Sequence, residues 1–391
     1  ANPRDPDLWL GKAQAMEVAG DTAGARDLIE QILAQAPGWL DGLRMLAQLN
    51  LAQGRSDFAD HYGTAAARMP GDPAIAIVHA NLLAVHDRFV DAARVASEAR
   101  RRFPDDPSLA LLEASYAASG GDDARAEALF AMLRDATPDR WLQEARHALR
   151  RSEVSRTHDL LDRVERETPW SVAAWALRGL AWRLSGDERA DWLYRPDTAI
   201  RAMELEGPHD LVPRAVEALR RLHARSALPL GQSLRGGTQT RGRLFDRTEP
   251  IFAELRTAIE QTVENYRLDL PPADSTHPLL RHRETGFALA GSWSVRLTGG
   301  GDFHIAHIHP EGVISSALYL VVPDDAAGPD KRGWLELGRP PPDLRLDIGP
   351  VATIQPLPGR LALFPSYLFH GTTPFGREER LTVAFDGVPR D

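Results

Sequence analysis

Phe303-His304-Ile305-Ala306-His307-Ile308-His309-Pro310-Glu311 decides how the last third of this chain is read. Residues i and i+2 of a strand point to one face, so His307 and His309 present their imidazoles together. Around them lie short β-rich runs separated by Gly, Pro and Asp: Trp293 to Leu297, His304 to His309, Ser316 to Val322, Trp334 to Leu337, Leu361 to Phe364 and Leu381 to Phe385. That spacing predicts an antiparallel barrel or jelly roll.

A second histidine-bearing segment follows, Leu363-Phe364-Pro365-Ser366-Tyr367-Leu368-Phe369-His370, in which Pro365-Ser366 turns the strand toward His370. Three imidazoles approaching from two strands make a facial metal set with open positions, the arrangement of non-haem iron(II) oxygenases. Arg380 comes ten residues after His370, with Thr382 two further on the same face. A guanidinium there can grip a carboxylate through two parallel hydrogen bonds. Tyr319 either reaches that carboxylate or packs in the barrel. His304 is read as facing solvent or standing behind the trio, and Trp293, Phe364 and Phe385 as packing.

The first half reads differently. Prolines at 37, 70, 104 and 138 recur at nearly constant spacing, each closing a helical segment. Trp9, Ala13, Gly20, Ala25, Ile29, Ile32 and Pro37 mark one hairpin; Ala47, Gly54, Ala59 and Pro70 the next; Ala80, Ala92 and Pro104 a third; Ala114, Gly120, Ala126 and Pro138 a fourth. Small residues let paired helices approach closely, and proline ends a helix because it has no backbone donor. These positions resemble tetratricopeptide (TPR) repeats. A fifth, degenerate pair is expected up to Pro169, then a helix from Ser171 to about Leu184, with Trp170, Trp175 and Trp182 capping the array. Such an array implies a groove for a peptide or protein, with self-association as a homodimer or a spacer role as the alternatives.

Between the halves, Asp191 to Leu230 reads as helical, broken at Pro196, Pro208 and Pro213, with an amphipathic helix from Leu211 to Leu222. The polar run from Gln232 to Thr240, containing Gly236-Gly237, is an anion-contacting loop or a turn. Ile251 to Tyr266 is expected to be a helix buttressing the β-domain. The predicted organisation is residues 1–169 helical repeats, 170–229 helical cap and linker, and 230–391 the β-domain.

Composition narrows the classes. At 391 residues the chain exceeds one ordinary core. A net charge of -9 gives no basic footprint for nucleic acid. With no cysteine, any metal must be held by His, Asp or Glu. No apolar run approaches the roughly 18 residues of a membrane span, so a cytoplasmic protein without membrane partners, of bacterial type, is expected.

The residues from Trp293 through His307-Ile308-His309-Pro310 to Tyr319, with Gly359 to Ser366, His370 and Arg380-Leu381-Thr382, resemble the 2-oxoglutarate/Fe(II) oxygenase family of the prolyl hydroxylase-like superfamily. The resemblance covers about Leu230 to Asp391, and the Arg235 to Thr240 loop looks like one in TPR-linked members. It implies a double-stranded β-helix (jelly-roll, cupin-like) domain behind a TPR-like α-solenoid, Fe(II) and 2-oxoglutarate as cofactors, and dioxygen as co-substrate. It further implies a hydroxylase acting on a C–H bond, with His307 and His370 on the metal and Arg380 on 2-oxoglutarate. Where the superfamily has a carboxylate two residues after the first histidine, this chain has His309. Three ligand sets then stay open: His309 completes the trio, His309 and Glu311 form the pair instead, or His307 and His370 act alone. The last is similar to aspartyl/asparaginyl β-hydroxylase, which also joins TPR-like repeats to such a domain. The alternative functions are a TPR adaptor with a non-catalytic β-domain and a cupin-like metalloenzyme that does not use 2-oxoglutarate.

Overall fold

The computed structural model describes residues 5–195, 197–224, 226, 233–298 and 302–390; Pro196 and Gln232 lie outside them. The described residues divide into two compact units, one up to Ala136 and one from Thr137 onward.

The first unit is built of helices α1 (Pro6–Val18), α2 (Thr22–Gln35), α3 (Leu40–Ala52), α4 (His61–Arg68), α5 (Ala74–Val85), α6 (Phe89–Arg102), α7 (Pro107–Ser119) and α8 (Asp123–Met132). Ala13, Ala25, Ala47, Ala59, Ala80, Ala92, Ala114 and Ala126 have no exposed surface, as expected where a larger side chain would push paired helices apart. Asp5, Asp21, Asp106 and Asp122 cap their helices by accepting backbone N–H bonds. Left-handed residues close successive hairpins at Gly20, Gly54, Asp87 and Gly121. Gly121, and not Gly120, takes the positive φ in the fourth.

That turn recurs at Ser152 and Gly186, which shows two more hairpins in the second unit: α9 (Pro138–Arg150) with α10 (Val154–Glu167), and α11 (Val172–Ser185) with α12 (Arg189–Tyr194). Pro138 opens α9 and does not close the helix before it, because the first helical turn has no use for the missing donor. Arginines fasten these hairpins to the loops of the β-domain. Arg150, buried, donates to the Asp343 carboxylate at 2.7 Å and to its carbonyl at 2.8 Å, and Arg183 donates to the carbonyls of Gly338 and Gly349. Trp175 and Trp182 are buried against Trp192, while Trp170 lies under the Arg281 guanidinium.

Two further helices, α13 (Leu211–His223) and α14 (Pro250–Asp269), match the expected amphipathic and buttressing segments. The stretch before α13 is not wholly helical. It contains β1 (Arg201–Glu204), an edge strand paired with a later one, and four residues of alternating burial are too short to announce themselves.

The remaining strands are β2 (Leu234–Arg235), β3 (Thr238–Gln239), β4 (Phe287–Leu297), β5 (Phe303–His304), β6 (Ile314–Val321), β7 (Leu335–Leu337), β8 (Ala352–Ile354), β9 (Arg360–Pro365), β10 (His370–Thr372) and β11 (Arg380–Pro389). They form an antiparallel six-stranded sheet in the order β1-β9-β6-β11-β4-β3, a three-stranded sheet β10-β7-β8 and a pair β2-β5. The insertion of β11 between β6 and β4 is a jelly-roll crossover. The fold is thus a TPR-like helical array followed by a double-stranded β-helix domain. Gly236 and Gly237 both have positive φ at the corner between β2 and β3, where a Cβ would meet the Asp302 carboxylate or the Arg296 carbonyl. A tight turn explains that pair of glycines.

Candidate functional site

The expected strand from His304 to His309 is not continuous. After β5 the backbone leaves the ladder, and His307 rejoins it only through an isolated bridge to His370, with exchanged bonds of 3.0 and 2.9 Å. Pro310 has no donor, and the backbone turns back with the Gly312 N–H donating to the His309 carbonyl, so the segment curls instead of pairing.

The curl still places His307 and His309 side by side. Their Nε2 atoms are 3.0 Å apart, and the ring of His370 lies 4.3 Å from that of His307 and 4.9 Å from that of His309. One nitrogen from each of the three falls within 4.8 Å of the others, a group that could hold a metal ion. Glu311 is exposed and stands outside this group.

Hydrogen bonding decides which nitrogens face inward. A carbonyl oxygen can only accept, so His307 donates from Nδ1 to Ile305 at 2.8 Å and His370 from Nδ1 to Leu368 at 3.0 Å. His309 donates from Nδ1 to the carboxylate of Asp386. With Nδ1 engaged in each ring, Nε2 is the atom left to face a common centre, and in a neutral ring it carries a lone pair. Burial, and then the neighbouring His309, push His307 down to about 3, and burial pushes His370 well below the usual imidazole range. Neutral imidazoles are the ligating form. Two lone pairs facing each other at 3.0 Å repel unless a cation lies between them, and nitrogens about 2.1 Å from one ion at right angles sit about 3 Å apart. The donor set fits a divalent metal.

Beside the trio, β4, β6 and β11 of the large sheet face β5, β7 and β10 across a pocket lined by Trp293, His304, Leu335, Arg380, Thr382 and the three histidines, among others. Arg380 is 3% exposed with its guanidinium 5.3 Å from the Tyr319 ring centre, and among the described residues no carboxylate pairs with it. Its Nε and the buried Tyr319 hydroxyl both lack a partner at hydrogen-bonding geometry. Burial raises Tyr319 to about 12 against the pull of Arg380. An uncompensated buried cation beside an unsatisfied hydroxyl is costly unless an anion completes it. Thr382, buried, lines the pocket next to Arg380.

His304 stacks on His307 at 6.0 Å and lines the pocket without joining the three nitrogens, so it is half-buried and not solvent-facing. Phe364 and Phe385 are buried as expected, Phe364 lying 4.8 Å from the His370 ring. Trp293, read as packing, instead lines the pocket 5.5 Å from His309. Sequence reasoning missed two residues. His223 on α13 joins Thr238 and the Ser294 hydroxyl, which in turn donates to the Thr382 carbonyl, bracing the wall behind Thr382. Asp386 was the other, although it follows Arg380, Thr382 and Ala384 in strict alternation.

Residues 291–386 match the family model described as "Putative 2OG-Fe(II) oxygenase", and residues 6–49 a tetratricopeptide repeat model. Residues 291–386 are thus similar to the oxygenase domain of that family. Fe(II) and 2-oxoglutarate are the cofactors of such an oxygenase domain, and the enzyme is a 2-oxoglutarate-dependent oxygenase joined to TPR repeats. No curated protein matches the chain. Similar solved structures include a Pseudomonas putida prolyl-4-hydroxylase, at 19% identity over 50% of this chain and 94% of that one with a TM-score of 0.35. HygX from Streptomyces hygroscopicus, with nickel, 2-oxoglutarate and hygromycin B bound, matches at 13% identity over 50% and 85%, TM-score 0.35. The type IV pilus biogenesis factor PilW matches at 16% identity over 49% and 90%, TM-score 0.36. Among the described residues no helix is long and apolar enough to cross a membrane.

Proposed function

We propose that the oxygenase domain hydroxylates a C–H bond of a peptide or protein side chain recruited by the helical repeats. The observation that carries the site assignment is the convergence of three Nε2 atoms beside a buried guanidinium that no carboxylate satisfies. In this reading His307, His309 and His370 hold the iron, and Arg380, with Thr382 and the Tyr319 hydroxyl, receives the distal carboxylate of 2-oxoglutarate. When bound, iron and 2-oxoglutarate supply an oxidant for C–H hydroxylation by decarboxylating the co-substrate with dioxygen. The chain's own part is to hold three neutral donors in one orientation, to neutralise the co-substrate's charge, and to wall the pocket with Trp293 and Leu335 against water. The exposure of Glu311 favours His309 as the third ligand.

Support for a peptide substrate comes from the first unit, which holds a groove of about 590 Å³ bordered by Thr64, His79, Arg94, Glu98, Arg102 and Phe103. Apolar floor and charged rim together suit an extended peptide.

The test is an anaerobic titration of metal-free protein with Fe(II) and then 2-oxoglutarate, following the visible charge-transfer absorption of the chelate. The absorption is expected in the natural protein and absent in His370→Ala. Iron binding without it would refute the 2-oxoglutarate assignment, and no iron binding would refute the site. Succinate release stimulated by a small-metabolite mixture and not by peptides would overturn the substrate class.

A further inference from the structure

The three imidazoles are anchored in two ways. His307 and His370 donate to carbonyls of their own segments, two residues back in each case, so the local backbone fixes those rings. His309 has no such carbonyl. Its Nδ1 meets a carboxylate from another strand, Asp386 on β11.

Asp386 is placed for this contact. Along β11, Arg380, Thr382 and Ala384 face the pocket, and Asp386 continues that face. The register with β4 shifts between Asp386 and Gly387, and such an irregularity re-aims a side chain. The chain closes in around it at van der Waals distance: a Cβ at Gly312 would lie 3.4 Å from the Asp386 Cβ, and one at Gly291 3.7 Å from its second carboxylate oxygen. The carboxylate is 18% exposed, and among the described residues no Arg or Lys pairs with it. A strand-borne carboxylate in a confined place, with an imidazole as its one charged-type partner, is committed to that imidazole.

We infer that Asp386 is the positioning residue that makes His309 a metal ligand. Resting on the ligand assignment proposed above, this gives the departure from the superfamily pattern a physical account. Where the pattern has a carboxylate two residues after the first histidine, this chain has an imidazole backed by a carboxylate from β11. The negative charge is kept and moved one hydrogen bond outward. Asp386 fixes the Nδ1–H tautomer of His309 and turns its Nε2 toward those of His307 and His370. Without it His309 is free to rotate or to carry its proton on Nε2, and in either case it donates no lone pair to the centre.

The experiment titrates full-length, metal-free protein with Co(II) alone, reading both the dissociation constant and the visible d–d spectrum, for the natural chain, Asp386→Asn, Asp386→Leu and His309→Ala. Asp386→Leu is expected to bind about 10–100-fold more weakly, with a spectrum shifted toward that of His309→Ala. Asp386→Asn keeps an acceptor for Nδ1–H without the charge and should recover part of the affinity with a near-natural spectrum, a rescue that mere packing damage would not show. Nitrogen-15 NMR of the Zn(II)-loaded protein adds a second reading, in which His309 holds its Nδ1–H tautomer with Nε2 on the metal in the natural chain and loses it in Asp386→Leu. Equal affinity and identical spectra for the natural protein and Asp386→Leu would overturn the inference while leaving the metal site standing. Failure of the natural protein to bind Co(II) would instead overturn the ligand assignment on which it rests.

Discussion

The helical repeats and the oxygenase domain use their small and polar residues in opposite ways. In the first unit, eight alanines at matching positions bury the same methyl group against a neighbouring helix, and no one of them differs in role from the others. In the β-domain no position repeats. His307, His370, Arg380 and Asp386 stand at unlike positions, and they meet because β11 pairs with β4 and β6 while His307 bridges to His370 on β10, across long stretches of chain. Damage in the repeats should therefore be structural and graded, whereas damage around the pocket should be chemical and abrupt.

The sharpest contrast is expected at Arg380. Replacing it by Ala should weaken 2-oxoglutarate binding by about 2–5 kcal/mol, because the ligand's carboxylate would then be buried unpaired. Isothermal titration of the metal-loaded variant checks this, and near-natural affinity would mean that the anion is gripped elsewhere.

Acid comes next, and it strikes the second unit through histidines outside the pocket. His277 donates from Nε2 to the Leu193 carbonyl and accepts at Nδ1 from the N–H groups of Leu279 and Leu280, so a second proton would face two donors. Burial lowers it, and His223, to about 4. Both are neutral in the folded and unfolded chain above the ordinary imidazole value. Below about pH 6.5 the unfolded chain takes up the protons first, so stability falls between about pH 6.5 and 4, by up to about 3 kcal/mol for each group. Urea unfolding at pH 8, 7, 6 and 5 should show the loss, and His277→Gln should remove its own share and leave that of His223. A midpoint independent of pH would contradict the neutral assignment.

The smallest effect belongs to the repeats. Ala80→Leu overfills the contact between α5 and its partners and should cost about 1–3 kcal/mol, read as a lower melting temperature, with the Fe(II)/2-oxoglutarate absorption unchanged. A comparable loss of that absorption would show that the two regions are not separable in this sense.

The same difference explains what could be read in advance. Each hairpin buries its alanines against residues a few turns away, so the pattern returns every 33 or 34 residues and betrays the fold; Gly20 and Gly54 mark the turns for the same reason. In the β-domain the histidines and Arg380 were visible as chemistry. The strands β1, β8 and β10, of three or four residues each, were not, since their pairing partners supply the stability that their own sequences do not advertise. Asp386 alternated correctly with Arg380 but looked like any polar residue near a strand's middle. Only the curl of the 305–312 segment, which depends on Pro310 and the bridge from His307 to His370, brings His309 within its reach.

The order of these residues along the chain also sets a clock. A ribosome adding roughly 5–20 residues per second makes His307 and His309 about 4–16 s before Asp386. Through all of that interval the emerging polypeptide lacks the carboxylate brace of its two imidazoles, and for most of it their distal companion His370 as well. A divalent ion captured then would meet a floppy two-nitrogen chelate, where the intrinsic preference for copper or zinc over iron prevails. On the ligand assignment proposed above, the full donor set with its brace exists only once β11 has paired with β4 and β6.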